Sequence, residues 1–135
     1  MRHRLLLVAL LAAALAGCRG GAASPAPSVG EGGVVRGVVT AGPTCPVEQV
    51  PPASTCAARA VTGALLLIED ADGRRLDEVR SGPGGEFAAS LPAGTYRLVP
   101  QPVEGLLGTA APVGFEVRMG ETTGPLAVVY DTGIR

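Results

Sequence analysis

The 135-residue sequence contains no lysine, asparagine or tryptophan, and only one histidine, two tyrosines and two phenylalanines. Its formal net charge is −1 at pH 7, and no block of like charges predicts nucleic-acid binding. No apolar run reaches the roughly 18 residues that a membrane-spanning helix requires. At this length we expect one small folded domain at most.

The amino terminus has the order of parts of an export signal. Arg2 and Arg4 precede an uninterrupted apolar run, Leu5–Ala16. A helix of about twelve residues rises about 18 Å, well short of the roughly 30 Å of hydrocarbon that a permanent transmembrane helix crosses. We therefore interpret residues 1–17 as a signal peptide and not as an anchor.

Residues 15–18, Leu-Ala-Gly-Cys, resemble the lipobox of bacterial lipoproteins. The resemblance implies that Cys18 becomes the acylated N-terminal residue and that a membrane is a partner of the protein. The expected location is the cell envelope, on the outer face of the cytoplasmic membrane or on an outer membrane, and Arg19 weakly favours the latter. The alternative is an ordinary secretory signal that leaves Cys18 as a free thiol.

Residues 18–33 are rich in Gly, Ala, Ser and Pro after the cysteine, which predicts a flexible tether before a domain at 34–135. With Cys18 lipidated, Cys45 and Cys56 form the one remaining pair, and export favours a disulfide between them. A metal or redox site is the alternative. The chain after residue 17 has neither histidine nor a CxxC motif, so we expect no metal and no cofactor.

The rest of the sequence consists of short β-rich runs between Gly and Pro residues, without sustained helical spacing. This pattern predicts an all-β domain, a small sandwich of seven strands. The predicted strands are 34–40, 61–69, 75–80, 86–91, 95–100, 113–119 and 126–131.

Alternation within these runs predicts that one face of each strand is buried. The continuous apolar run Leu65–Ile68 predicts a central strand that is covered on both faces. The residues assigned to the core by alternation are Phe87, Ala89, Leu91, Phe115, Val117, Met119, Leu126, Val128 and Tyr130.

Two segments have the composition of tight turns, Asp70–Gly73 and Ser81–Gly85. Asp70 and Asp72 could instead begin a calcium-binding loop. Arginines stand at positions 74 and 75, where such a loop needs further oxygen ligands, so we favour the turn.

Residues 72–73, 84–87 and 91–96 resemble the recurring motifs of carboxypeptidase regulatory-like domains. The resemblance implies a prealbumin-like (transthyretin-like) Greek-key sandwich of seven antiparallel strands. It also implies that Phe87 enters the core, that Gly94 makes a tight turn, and that the Tyr96 hydroxyl reaches a backbone carbonyl. Gly85 stands where these domains usually have Asp.

Catalytic patterns are weak in this sequence. Asp131-Thr132-Gly133 matches the aspartic-protease tripeptide, but only two residues follow it. Ser54, Ser81 and Ser90 have no histidine partner once residues 1–17 are removed. Transthyretin-like enzymes that hydrolyse hydroxyisourate use histidines that this chain also lacks. We therefore predict no catalytic residues.

The sequence favours a non-enzymatic, membrane-anchored envelope lipoprotein that acts as a binding or structural module. Its expected partner, besides the membrane, is an envelope protein or a glycan. The alternative is a degenerate transthyretin-like hydrolase or an accessory subunit of an envelope enzyme.

Overall fold

The computed structural model describes residues 32–47, 50 and 56–134, and the predicted signal peptide, Cys18 and most of the tether lie outside them. The part of the chain that it describes contains no helix of the length and apolarity needed to span a membrane. Its strands are β1 (Gly32–Gly42), β2 (Arg59–Ala60), β3 (Leu65–Asp70), β4 (Arg75–Arg80), β5 (Glu86–Pro92), β6 (Gly94–Pro100), β7 (Val113–Val117) and β8 (Thr122–Asp131).

The strands form two four-stranded sheets, which confirms the all-β sandwich. In the first sheet, β5 and β2 pair with one edge of β1, and β8 pairs with its other edge. The second sheet has the order β4-β3-β6-β7. All pairs are antiparallel except β1 with β8, which is parallel. The resemblance implied antiparallel strands only, so this pair differs from that expectation.

The parallel pairing gives the sandwich two distinct ends. The tether end holds the start of β1 and the turns at 71–74 and 118–121. The disulfide end holds the end of β1, the loop with Cys45 and Cys56, the 101–112 loop and the tail after β8. β1 spans about 33 Å between these ends at about 3.3 Å per residue.

The core lies between the sheets and follows the predicted alternation. Phe87, Leu91, Phe115 and Val117 are buried, and Ala89 is partly buried against them. On β8, Val128 and Tyr130 are fully buried and Leu126 is partly buried, which confirms that their shared face points inward.

Met119 was assigned to this core, and that prediction is wrong. β7 ends at Val117, and the chain then turns, with the Glu121 N–H donating to the Arg118 carbonyl at 3.1 Å. Gly120 adopts a φ of 72° inside the turn, a conformation that favours glycine. The Met119 side chain is consequently 64% exposed.

The prediction of a central strand covered on both faces is only partly correct. Leu66 and Ile68 are fully buried, but Leu65 and Leu67 point to the outer face and are half-buried. β3 also starts at Leu65 and not at residue 61. The preceding segment is held differently, since the Ala64 N–H donates to the Ser81 hydroxyl at 2.9 Å.

The corner between β5 and β6 matches the expectation from the resemblance. A single residue separates the two strands, and the Tyr96 hydroxyl donates to the Pro92 carbonyl at 2.8 Å. A Cβ on Gly94 would lie 3.3 Å from that hydroxyl oxygen, so glycine leaves room for the ring. Gly85 has a φ of 79°, and a Cβ there would lie 2.2 Å from the Val39 carbonyl oxygen, which explains the glycine at this position.

Candidate functional site

The disulfide end is the best candidate for a functional surface, because it carries the longest loops. Cys45 and Cys56 are bonded as predicted, with their Cα atoms 5.3 Å apart. The Thr44 hydroxyl also donates to the Ala57 carbonyl at 3.2 Å, which ties the two arms of the loop together. A shallow groove of about 240 Å³ lies beside the bond, lined by Gly42, Pro43, Cys45, Val47, Cys56 and Ala58.

The tail after β8 fastens the disulfide loop to the rest of the domain. Thr132 donates twice, through its N–H to the Gly42 carbonyl at 3.3 Å and through its hydroxyl to the Pro43 carbonyl. On the other side of the tail, the Leu107 N–H donates to the Asp131 carbonyl at 2.8 Å. The tail is therefore held between the disulfide loop and the 101–112 loop.

The tripeptide Asp131-Thr132-Gly133 has a structural role in this arrangement. The Asp131 carboxylate accepts a hydrogen bond from the Gly133 N–H at 2.7 Å, and Gly133 has a φ of 78°. These features form a turn in which the aspartate side chain binds its own backbone two residues further along. The geometry supports a turn at the end of β8.

Tyr130 joins β8 to the 101–112 loop from inside the sandwich. Its hydroxyl donates to the Gln101 carbonyl at 2.6 Å, while its ring is fully buried. Burial raises the pKa of Tyr130 above the ordinary value of 10.0, because the phenolate would lose its hydration. The loop is thus attached to the core by a neutral, buried hydroxyl.

Large apolar side chains at the disulfide end remain in contact with solvent. Val47 is 69% exposed, Val50 97% and Leu107 57%. Exposed apolar groups on adjacent loops are typical of surfaces that contact another molecule. Among residues 32–47, 50 and 56–134, no cluster of His, Cys, Asp or Glu side chains could hold a metal ion. Val47, Val50 and Leu107 offer apolar contact, and the 101–112 loop also exposes Glu104.

The other sequence candidates serve the fold. The Asp70 carboxylate accepts hydrogen bonds from the Asp72 and Arg74 N–H groups, each at 2.9 Å, which confirms the predicted turn. Ser81 is buried, and its hydroxyl donates to the Val61 carbonyl at 2.5 Å. Ser90 lies exposed on β5, and Ser54 lies outside the described residues.

Arg and Glu side chains form three ion pairs in the described part of the chain, all on the second sheet. Exposed pairs of this kind contribute about 0–1 kcal/mol each to stability. The pairs are Arg75 with Glu78, Arg97 with Glu69 at 2.8 Å, and Arg118 with Glu116 at 3.3 Å.

No protein-family model and no curated protein matches this sequence. Several solved structures are similar in shape. The minor pilin of Streptococcus agalactiae superposes with a TM-score of 0.57 at 11% identity, over 76% of this chain and 45% of that chain. The major pilin subunit of Bacillus cereus gives a TM-score of 0.52 at 13% identity, over 76% and 31%.

The shaft pilin of Lactobacillus rhamnosus GG is similar to the same degree, with a TM-score of 0.52 at 12% identity, over 74% of this chain and 48% of that chain. The chain therefore spans less than half the length of each of these three pilins. At such low identity the similarity shows the fold alone, a small β-sandwich of the kind found in pilins.

Sequence reasoning did not find the apolar surface at the disulfide end. Leu107 lies in a stretch whose glycines and prolines indicate a loop, but nothing local to it indicates that it meets the end of β8. The contact between Thr132 and Pro43 joins residues 89 positions apart. The parallel pairing of the first and last strands brings them together, and the alternation patterns of the two strands do not encode that pairing.

Proposed function

We propose that the protein is an exported lipoprotein of the cell envelope, anchored through Cys18, whose disulfide end acts as a non-enzymatic binding or structural surface. The observation that carries the proposal is the parallel pairing of β1 and β8. It puts the tether attachment at Gly32 at one end of the sandwich and the exposed loops at the other. In an anchored chain the tether end would therefore lie closer to the membrane, on average, than those loops.

The surface chemistry favours a protein over a glycan as the partner. Val47, Val50 and Leu107 present aliphatic groups, whereas glycan recognition depends largely on polar side chains and aromatic rings. The pilins of similar shape are subunits of surface assemblies, which is in keeping with a structural role. The carboxypeptidase regulatory-like motif residues also occupy the positions that this resemblance implies, with Phe87 in the core and Tyr96 at the corner.

Membrane fractionation of the full chain and of Cys18→Ser tests this proposal. Two or three acyl chains hold a protein stably at a membrane, so we expect the unchanged chain in the membrane fraction and the variant in the soluble exported fraction. Cys45→Ser/Cys56→Ser is the matched control, because it alters cysteines without altering the lipobox, and it should remain with the membrane. A Cys18→Ser protein that partitions like the unchanged chain would contradict the anchor.

A capture experiment tests the binding surface separately. A photo-reactive residue at Leu107 should form a discrete covalent product with an envelope protein, while the same residue at Met119, at the tether end, should not. Both positions are more than half exposed, so access to solvent is matched. The same product from both positions would contradict a role for the disulfide end.

A further inference from the structure

The outer face of the first sheet differs from the rest of the surface in its side chains. We call this surface the open face. It includes Val38, which is 39% exposed, and Val129, which is 55% exposed. The register partners of Val38 on the neighbouring strands are Glu86 and Ala127, and Val129 pairs with Thr40. The other exposed members of the open face are Arg36, Glu86, Ala88, Ser90 and Ala127.

Charge on the open face is sparse and is not neutralised within the described part of the chain. Apart from Asp131 at its margin, the face has two charged residues, Arg36 and Glu86. Neither of them forms an ion pair with a residue that the structure describes, whereas the second sheet pairs its charges in three places. The open face thus has an apolar centre beside one positive and one negative group that can still be paired.

The positions of these two charges make the open face complementary to itself. Glu86 is the register partner of Val38, and Arg36 lies two residues before Val38 on the same face. Diagonal neighbours of this kind are about 7–8 Å apart. A twofold axis lying in the interface, midway between the two residues, exchanges their positions. The Glu86 of each copy then faces the Arg36 of the other copy, and Val38 lies beside the axis.

We propose that two copies of this chain associate through their open faces, with two reciprocal Arg36–Glu86 ion pairs around a contact centred on Val38. A heterologous partner would have to supply a matching pair of opposite charges, but a second copy presents that pair by symmetry. The proposal goes beyond the proposed function and does not depend on the lipid anchor.

The size of the open face sets the strength of the contact. Three strands about 4.8 Å apart and about seven residues long cover about 350 Å² per copy, less than half of the roughly 800 Å² per partner in a standard stable interface. The association is therefore weak and concentration-dependent, and covalent trapping is a better probe than chromatography.

Cysteine trapping in the full chain tests the proposal. Val38→Cys lies beside the axis, so mild oxidation should yield a covalent dimer on a non-reducing gel. Thr95→Cys, exposed on the outer face of the second sheet, is the matched control and should yield no more dimer than the unchanged chain. All three proteins carry the same native cysteines, so a dimer formed through those would appear equally in each. Equal dimer yields from the two variants would overturn the proposal.

Charge exchange in the Val38→Cys background tests the ion pairs. Arg36→Glu or Glu86→Arg alone turns two attractions into repulsions, which should lower the dimer yield about tenfold. The double exchange should restore it, and the two single variants should form a mixed dimer when combined. Both residues are exposed, so thermal unfolding of each variant should match its parent. Dimer yields that do not change with these exchanges, or trapping of a different protein at position 38, would overturn the proposal.

Discussion

The two ends of the sandwich differ in the length of their connecting loops and in what holds those loops. At the tether end, one residue separates β5 from β6, and short turns at 71–74 and 118–121 join the other strands. The turn after β3 satisfies its own backbone donors through Asp70. At the disulfide end two connections are long, the disulfide loop and the 101–112 loop, and a covalent bond and the tail after β8 hold them. The connection between β4 and β5 at the same end is a short turn.

The longer loops of the disulfide end are the feature that makes it the candidate surface. At the tether end, the Asp70 carboxylate completes backbone hydrogen bonds in the turn after β3, and backbone groups alone close the turn at 118–121. The disulfide end is held by the disulfide and by hydrogen bonds of Asp131 and Thr132. It leaves Val47, Val50 and Leu107 in solvent, as the tether end leaves Met119. Loops positioned by a rigid scaffold commonly carry binding sites, and this end has that construction.

The largest effect should come from removing the strand that defines the disulfide end. Deletion of residues 126–135 takes away most of β8 and the buried side chains Val128 and Tyr130. Losing one large buried side chain costs about 2–5 kcal/mol, a large part of the roughly 5–15 kcal/mol that stabilises a domain. We expect the shortened chain to show no cooperative unfolding transition by circular dichroism.

Deletion of residues 133–135 is the control for that experiment, since it keeps β8 and the two hydrogen bonds that Thr132 donates. It should unfold cooperatively, close to the temperature of the full chain. If the longer deletion melted like the full chain, β8 would not be needed for the fold.

Removal of the disulfide should affect the two ends unequally. A loop closed over 11 residues is stabilised by about 3 kcal/mol on the chain-entropy model, so Cys45→Ser/Cys56→Ser should lower the free energy of unfolding by up to that amount. Hydrogen exchange should accelerate at Val61 and Thr132 and stay unchanged at Gly73 and Glu121. Equal acceleration at both ends would contradict the division between them.

Removal of either tyrosine hydroxyl should lower the free energy of unfolding by a smaller amount. Tyr130→Phe and Tyr96→Phe each remove one hydrogen bond to a backbone carbonyl, at a cost of about 1–2 kcal/mol. Because burial raises the pKa of Tyr130 in the folded state, the folded protein holds its proton more tightly than the unfolded chain does. This contribution to stability is complete below pH 10 and is lost as pH rises through the folded pKa.

Denaturant titrations between pH 8 and pH 12 measure this dependence. Tyr130→Phe should unfold with a weaker loss of stability above pH 10 than the unchanged chain. The same slope in the unchanged chain and in Tyr130→Phe would show that the buried hydroxyl is not its source.

Sequence reasoning succeeded where information is local. The alternation around Phe87 and Phe115 and the turn chemistry of Asp70 are written in adjacent residues, and the structure confirms all three. It failed for Met119, because alternation continues in the letters after the strand has ended at Val117. To predict the surface at the disulfide end, one would have to know that β1 pairs in parallel with β8. That pairing depends on packing between strands from opposite ends of the chain.

The distance of each end from the bilayer tests the central claim most directly. A fluorophore on Met119→Cys or on Leu107→Cys, in the full chain reconstituted into vesicles that contain an acceptor-labelled lipid, reports that distance by energy transfer. The two sites lie at opposite ends of a sandwich about 33 Å long. We expect clearly greater transfer from Met119→Cys than from Leu107→Cys. Equal transfer from both sites, or greater transfer from Leu107→Cys, would contradict a domain held at its tether end with its disulfide end facing outward.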